Sequence, residues 1–201
     1  MVHRKMEDLV FIGDAHAKFD QMLACVSEDT DAARIYQVGD FGIGFKPVPS
    51  LPQNFRFIRG NHDNPALAKA HENFLGDYGV DEFGVGYLGG AHSVDEAWLV
   101  PGVSWWRDEE LSLHQLQEAI DDLVEAKPEI MITHSAPSVF KKELVLRDIP
   151  NRTDQALDEL VQRIKPRYWI CGHYHTSLDL KINGTHFVCL NELETLRLGD
   201  Y

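Results

Sequence analysis

Asp14 and His16 stand two positions apart in Gly13-Asp14-Ala15-His16 and offer a carboxylate and an imidazole side by side. Asp40, in Gly39-Asp40, adds a second carboxylate, whose two oxygens are enough to bridge a pair of cations. Asn61, in Gly60-Asn61-His62-Asp63, adds a neutral oxygen. His134 and the His173-x-His175 pair add three more imidazoles. A mixed nitrogen and oxygen set of this size suits two Mn, Fe or Zn ions, rather than the thiolate-rich coordination of a structural zinc. Two such ions a few ångströms apart polarise a phosphoryl group and supply a bridging hydroxide near neutral pH. The chemistry this pattern points to is hydrolysis of a phosphoester.

The elements that must position these residues are visible around them. Leu9–Ile12 is an apolar run that stops at Gly13-Asp14, and residues 33–38 stop at Gly39-Asp40. Residues 55–59 stop at Gly60-Asn61-His62-Asp63, Ile130–Thr133 at His134, and Tyr168–Cys171 at Gly172-His173. Each run reads as a strand with a polar residue at its C-terminal end, where open α/β sheets carry their sites. Ser112 and Gln115 resemble a capping box, and Leu113, Leu116, Ile120, Leu123 and Val124 follow with helical spacing before Pro128. A second helix is expected over residues 153–165, with Leu157, Leu160, Val161 and Ile164 on one face. A shorter one should open at Asn64-Pro65 and reach Phe74, and another should cover residues 18–26. Asn183-Gly184 marks a two-residue hairpin turn. Gly84, Gly86, Gly89 and Gly90 punctuate a middle section, expected to be β-rich, that runs to Trp106. With no repeat and no linker, residues 1–201 are expected to form a single domain of α/β class whose sheets mix parallel and antiparallel pairing.

The five segments, in this order, resemble the ordered motifs of calcineurin-like metallophosphoesterases, and they span the chain from position 13 to 175. The resemblance implies a two-layered β-sandwich of mixed sheets flanked by helices, with metals at the strand ends. It implies one metal on Asp14, His16, Asp40 and His175, and a second on Asp40, Asn61, His134 and His173. Mn²⁺ is the expected ion, with Fe, Zn or Ni as alternatives. His62 becomes the residue that steadies the phosphoryl oxygen or protonates the leaving group, and Arg59 a phosphate clamp. The pattern also departs from the family. Phosphoprotein phosphatases continue the second motif as GDxxDRG, whereas Gly39-Asp40-Phe41-Gly42-Ile43-Gly44 lacks both the second Asp and the Arg. Asp63 stands where glutamate is found, and Ala17 where glycine is common. These changes argue against phosphoprotein substrates and leave no evident partner to orient His62.

Composition narrows the partners. With 19 Lys and Arg against 32 Asp and Glu the formal charge is -13, which disfavours extended duplex nucleic acid. The expected substrate is a small phosphorylated molecule or a nucleotide, as monoester or diester. A nuclease acting on nucleic acid ends is an alternative, and so is a non-catalytic interaction module on the same fold, in which the motifs would be eroded. Three separated cysteines and no apolar run of membrane-span length give a cytoplasmic expectation with no membrane partner. His3, His71, His92, His114 and His186 lack ligand-like context, although His92 follows a Gly-rich loop that could approach a substrate. Of Trp105 and Trp106, adjacent on an expected strand, one should enter the core and one cover a surface. Lys141, Lys142, Arg147 and Arg152 form a local basic cluster. It is read either as a solvated face softened by Glu143 and Asp148 or as a rim that attracts anions.

Overall fold

The computed structural model describes residues 8–27, 29, 31–145 and 149–198. His3, Arg147 and Asp148 lie outside the described residues. In chain order the elements are β1 (Leu9–Ile12), α1 (Phe19–Ser27), β2 (Arg34–Gln37), β3 (Phe55–Phe57), α2 (Pro65–Lys69), β4 (Tyr78–Val80) and β5 (Val85–Leu88). A 3₁₀ turn (Glu96–Trp98) precedes α3 (Leu113–Ala126), β6 (Ile130–Thr133), α4 (Ser138–Lys141) and α5 (Arg152–Arg163). The chain closes with β7 (Tyr168–Cys171), β8 (Leu178–Ile182), β9 (Thr185–Cys189) and β10 (Thr195–Arg197).

Two mixed sheets result. One has the order β10-β1-β2-β3, with β10 antiparallel to β1 and the other neighbours parallel. The other has the order β4-β5-β6-β7-β9-β8, parallel from β5 through β9 and antiparallel at both edges. Alternation along each strand decides the layering. Leu9 and Phe11 of β1 face Ile130, Ile132, Tyr168 and Ile170 of the opposite sheet, making a core between the sheets. Val10 and Ile12 turn the other way, onto Phe19, Met22 and Val26 of α1. On the far side Met131, Trp169 and Phe187 pack under Leu116, Ile120 and Leu123 of α3 and Leu157 and Leu160 of α5. The chain is therefore an α/β sandwich of two mixed sheets flanked by helices.

The helix signals hold where side chains cap the ends. Ser112 and Gln115 form the reciprocal capping box of α3, which stops at Lys127 in the left-handed region (φ 50°). Asn64 caps α2, but that helix ends at Lys69 rather than reaching Phe74. The competing interaction is strand-like: Phe57 N–H donates to Asn73 O at 3.1 Å and Leu75 N–H to Phe57 O at 3.0 Å. The expected β-rich middle section ends at Leu88. Gly90 N–H bonds Arg59 O at 2.7 Å, and Pro101 and Gly102 break the chain again. Trp106 is buried and Trp105 half-buried, as the one-in, one-out expectation had it, but on turns rather than on a strand. Among the described residues no helix is long and apolar enough to cross a membrane.

Candidate metal centre

The loops that follow β1, β2, β3, β6 and β7 converge at one edge of the sandwich. Ala15 and His16 both donate backbone N–H to Asp40 O, at 3.0 and 2.8 Å, which ties the first loop to the second. Asp63 ties the second to the third. Its fully buried carboxylate accepts N–H bonds from Phe41 (3.1 Å), Gly42 (2.6 Å), Ile43 (3.1 Å) and Gly60 (2.8 Å). Four of the candidate ligands take left-handed backbone: His16 (φ 44°), Asp40 (50°), His173 (71°) and His175 (47°). Each such residue costs about 1–2 kcal/mol. Strain concentrated in this way marks the loops as shaped for their side chains. Gly60 has to lack a side chain, because a Cβ there would sit 2.1 Å from Asp40 Oδ1 and 2.6 Å from His134 Nε2.

The side chains form two groups, each with its ligand atoms within 4.8 Å: Asp14, His16 and His175, and Asp40, His134 and His173. Asp40 turns one oxygen to each group, Oδ1 lying 3.3 Å from His134 Nε2 and Oδ2 3.7 Å from His16 Nε2. In the first group His175 Nε2 is 3.1 Å from Asp14 Oδ2 and 2.9 Å from His16 Nε2. His134 Nδ1 donates to the carbonyl of Val38 at 2.9 Å, which leaves Nε2 as the nitrogen turned to the centre. That Nε2 is buried without a hydrogen-bond partner, being off line to Asp40 despite the short distance, and so is Asn61 Oδ1. Buried polar atoms left without a partner make an expensive arrangement for protein alone. As a donor set for divalent cations it fits.

A model of the calcineurin-like phosphoesterase superfamily domain matches residues 8–197. The chain belongs to that superfamily. Among solved structures, TT1561 of Thermus thermophilus aligns over 94% of both chains at 11% identity, with a TM-score of 0.55. A Staphylococcus aureus protein assigned as a 5'-nucleotidase aligns over 92% of this chain at 14% identity, with a TM-score of 0.51. The present chain covers 48% of that larger one. At these identities the likeness is one of fold. A search of curated proteins gives no significant match.

Electrostatics in this phosphoesterase follow from packing carboxylates against imidazoles. Burial works against the charge of His134, but Asp40 and Asp14 outweigh it and raise the imidazole to about 10. Burial, together with the adjacent His134, pushes His173 down to about 3, so the pair shares one proton. His16 is raised, its partners Asp14 and Asp40 overcoming burial, and His175 is raised chiefly by its bond to Asp14. Burial opposes the charge on Asp40, yet His134 and the other imidazoles hold its carboxyl well below the usual range.

A cavity of about 380 Å³ opens over the phosphoesterase centre, its lining including His62, His92, Lys141, Val94, Tyr174 and Ile149 besides ligand candidates. His62 donates its backbone N–H to Asp40 Oδ1 at 2.9 Å, and His16 meets its ring edge-on at 5.5 Å between centroids. Arg59 is not brought to this opening. It is 1% exposed, with Nε on Asp77 Oδ1 at 2.8 Å and Nη1 on Glu109 O at 2.6 Å. Of the basic cluster, Lys141 lies mostly buried against Asp154 where it also lines this opening, while Arg152 stays part-exposed and bonds the carbonyl of Leu111 at 2.7 Å. A larger cleft of about 690 Å³ beside Ser138, Asp158 and Lys165 contains none of the chemistry. Sequence reasoning missed Ser93, which meets Asn61, and Glu109, which holds Ser93, both in a turn-rich segment carrying no motif.

Proposed function

We propose that this phosphoesterase hydrolyses a small phosphorylated or nucleotide substrate with two divalent cations, Mn²⁺ being the first candidate, within one domain. The observation that carries the reading is Asp40, whose two oxygens face separate donor groups while His134 Nε2 and Asn61 Oδ1 stay unpartnered beside them. Asp14, His16, Asp40 and His175 would hold one cation, and Asp40, Asn61, His134 and His173 the other. When bound, the cations would supply Lewis acidity, taking charge from phosphoryl oxygens and lowering the pKa of a water.

The chain's own residues do the rest. The loops tied by Asp63 fix the ligand atoms in advance, so that no reorganisation is needed as charge develops. His62, at the opening with its backbone anchored on Asp40, gives its ring proton to the departing oxygen as the bond to phosphorus breaks. Arg59 acts from beneath, as a positioning residue. Val94, Ile149 and Tyr174 along the opening suit a compact, partly apolar leaving group, and a cavity of about 380 Å³ is of small-ligand size. The nucleotide reading is supported by the description of the Staphylococcus aureus relative as a 5'-nucleotidase. All three cysteines are free thiols, which supports placement in a reducing cytoplasm.

The test is hydrolysis of p-nitrophenyl phosphate and bis-p-nitrophenyl phosphate by metal-stripped protein resupplied with Mn²⁺. Turnover that requires metal, with one ester preferred, supports the reading and assigns monoesterase or diesterase. Absence of turnover on both esters and on a panel of nucleotides would overturn it.

A further inference from the structure

Asn61 can present either end of its amide to the metal centre, and only its oxygen can bind a cation. Its Nδ2 lies 3.1 Å from Ser93 Oγ. The hydroxyl proton of Ser93 is already committed to Glu109 Oε2 at 2.6 Å, and the Ser93 backbone N–H goes to Glu109 Oε1 at 2.8 Å. Ser93 Oγ therefore shows Asn61 only lone pairs, which an amide N–H₂ can meet and an amide oxygen cannot. The oxygen is left on the other branch of the amide, buried and without a partner, in a residue that lines the opening with Asp40 and His173.

Glu109 is held in turn. Its backbone carbonyl accepts from Arg59 Nη1 at 2.6 Å, and Arg59 stands two residues before Asn61 in the chain. Arg59 O also accepts the Gly90 N–H at 2.7 Å, which fixes the start of the loop carrying Ser93. The contacts close a circuit: Arg59 to Glu109, Glu109 to Ser93, Ser93 to Asn61, and back along the chain. All four residues are buried, Arg59 at 1%, Ser93 at 1%, Asn61 at 2% and Glu109 at 3% exposed, so water does not compete for these bonds.

We infer that Glu109 and Ser93 are positioning residues that set the polarity of the Asn61 amide, and with it the affinity of the cation that Asn61 would share with Asp40, His134 and His173. The inference rests on the proposed ligand role of Asn61. Partners of this kind behind a ligand change metal affinity about 10–100-fold when removed. In Ser93→Ala the amide loses its anchor and turns freely. In Glu109→Gln an N–H₂ faces the Ser93 hydroxyl, which frees that proton to point at Asn61 and favours the reversed amide. Ser93→Thr keeps the hydroxyl and restores the wild-type state.

The test is Mn²⁺ binding to metal-stripped protein, read by competition with a chelating dye, alongside the melting temperature of each metal-free variant. The expected result is a loss of about 10-fold or more in one of the two Mn²⁺ affinities for Ser93→Ala and Glu109→Gln. The other affinity and the metal-free melting temperature should hold close to wild type, with recovery in Ser93→Thr. Equal weakening of both ions together with a lowered metal-free melting temperature would mean a purely structural role and overturn the inference. So would wild-type affinities in both variants beside an Asn61→Ala protein that loses one ion. Wild-type affinities in Asn61→Ala itself would overturn the ligand role beneath it.

Discussion

Asp40 and His134 approach to 3.3 Å, Oδ1 to Nε2, while the other nitrogen of His134 is fixed on the Val38 carbonyl at 2.9 Å. With Nδ1 so occupied, Nε2 is the nitrogen left to hold either a proton or a cation beside the Asp40 carboxylate, and the two compete.

That competition has a pH signature. His134 is raised to about 10 in the fold, against 6.5 for an ordinary imidazole, and His16 and His175 are raised as well. A group whose folded pKa is raised stabilises the fold fully below its unfolded value and loses that contribution as pH climbs through the folded one. His173 shifts the opposite way, to about 3, and is neutral in both states above pH 6.5. Metal-stripped protein should therefore lose melting temperature between pH 7 and about 9.5, while the gain on adding Mn²⁺ grows over the same window. A flat or rising metal-free profile across that range would contradict the assignment.

Asp63 should matter for folding more than for turnover chemistry. Asparagine at this position keeps one acceptor oxygen and turns N–H₂ toward two of the four backbone donors of Phe41, Gly42, Ile43 and Gly60. Asp63→Asn is expected to lose roughly 2–5 kcal/mol in urea denaturation. A loss below 1 kcal/mol would mean the loops are tied by something else.

Gly60→Ala tests how tightly the centre is built. The new Cβ would stand 2.1 Å from Asp40 Oδ1 and 2.6 Å from His134 Nε2, within the space a cation between them needs. Equilibrium dialysis should show loss of at least one Mn²⁺. Retention of wild-type stoichiometry would place the ions elsewhere.

Arg59 separates two roles by one kinetic comparison. Its guanidinium is buried between Asp77 and the Glu109 carbonyl, so Arg59→Ala should cost about 3–5 kcal/mol of stability, the scale for breaking a buried pair. A direct phosphate clamp would instead raise KM in a protein of unchanged stability.

How much of this was visible beforehand depended on the range of the interactions. Strands β1, β2, β3, β6 and β7 could be read because each is a short run rich in apolar residues, with Arg34, Gln37 and Arg56 interrupting β2 and β3, that is stopped by a glycine or histidine. Helix α3 could be read from its local cap and 3.6-residue spacing, and α5 from its spacing. The convergence of Asp14, Asp40, Asn61, His134, His173 and His175 was legible because every one follows such a strand, and strand ends in a layered sheet meet along one edge. What Arg59, Asp63, Ser93 and Glu109 do was not legible. Glu109 reaches Ser93 across 16 positions and Arg59 across 50, and no local pattern encodes those pairings. Residues 89–106 failed as strand for the same reason, since their backbone is fixed by contacts to Arg59 and by turns rather than by a neighbouring strand.

His62 belongs to neither donor group and meets Asp40 through its backbone N–H, so removing its side chain should spare metal binding. His62→Ala is expected to lose about 10²–10⁴ in kcat with two Mn²⁺ still bound. Unchanged kcat would remove it from proton transfer.

The central claim is that two cations share Asp40 and that turnover depends on both. It is tested most directly by titrating metal-stripped protein with Mn²⁺ while following both bound ions and hydrolysis, with Asp40→Asn in parallel. The account predicts that turnover rises only as the second equivalent binds, and that Asp40→Asn neither holds two ions nor turns over. Full activity at one equivalent, or an Asp40→Asn protein as active as wild type, would contradict it.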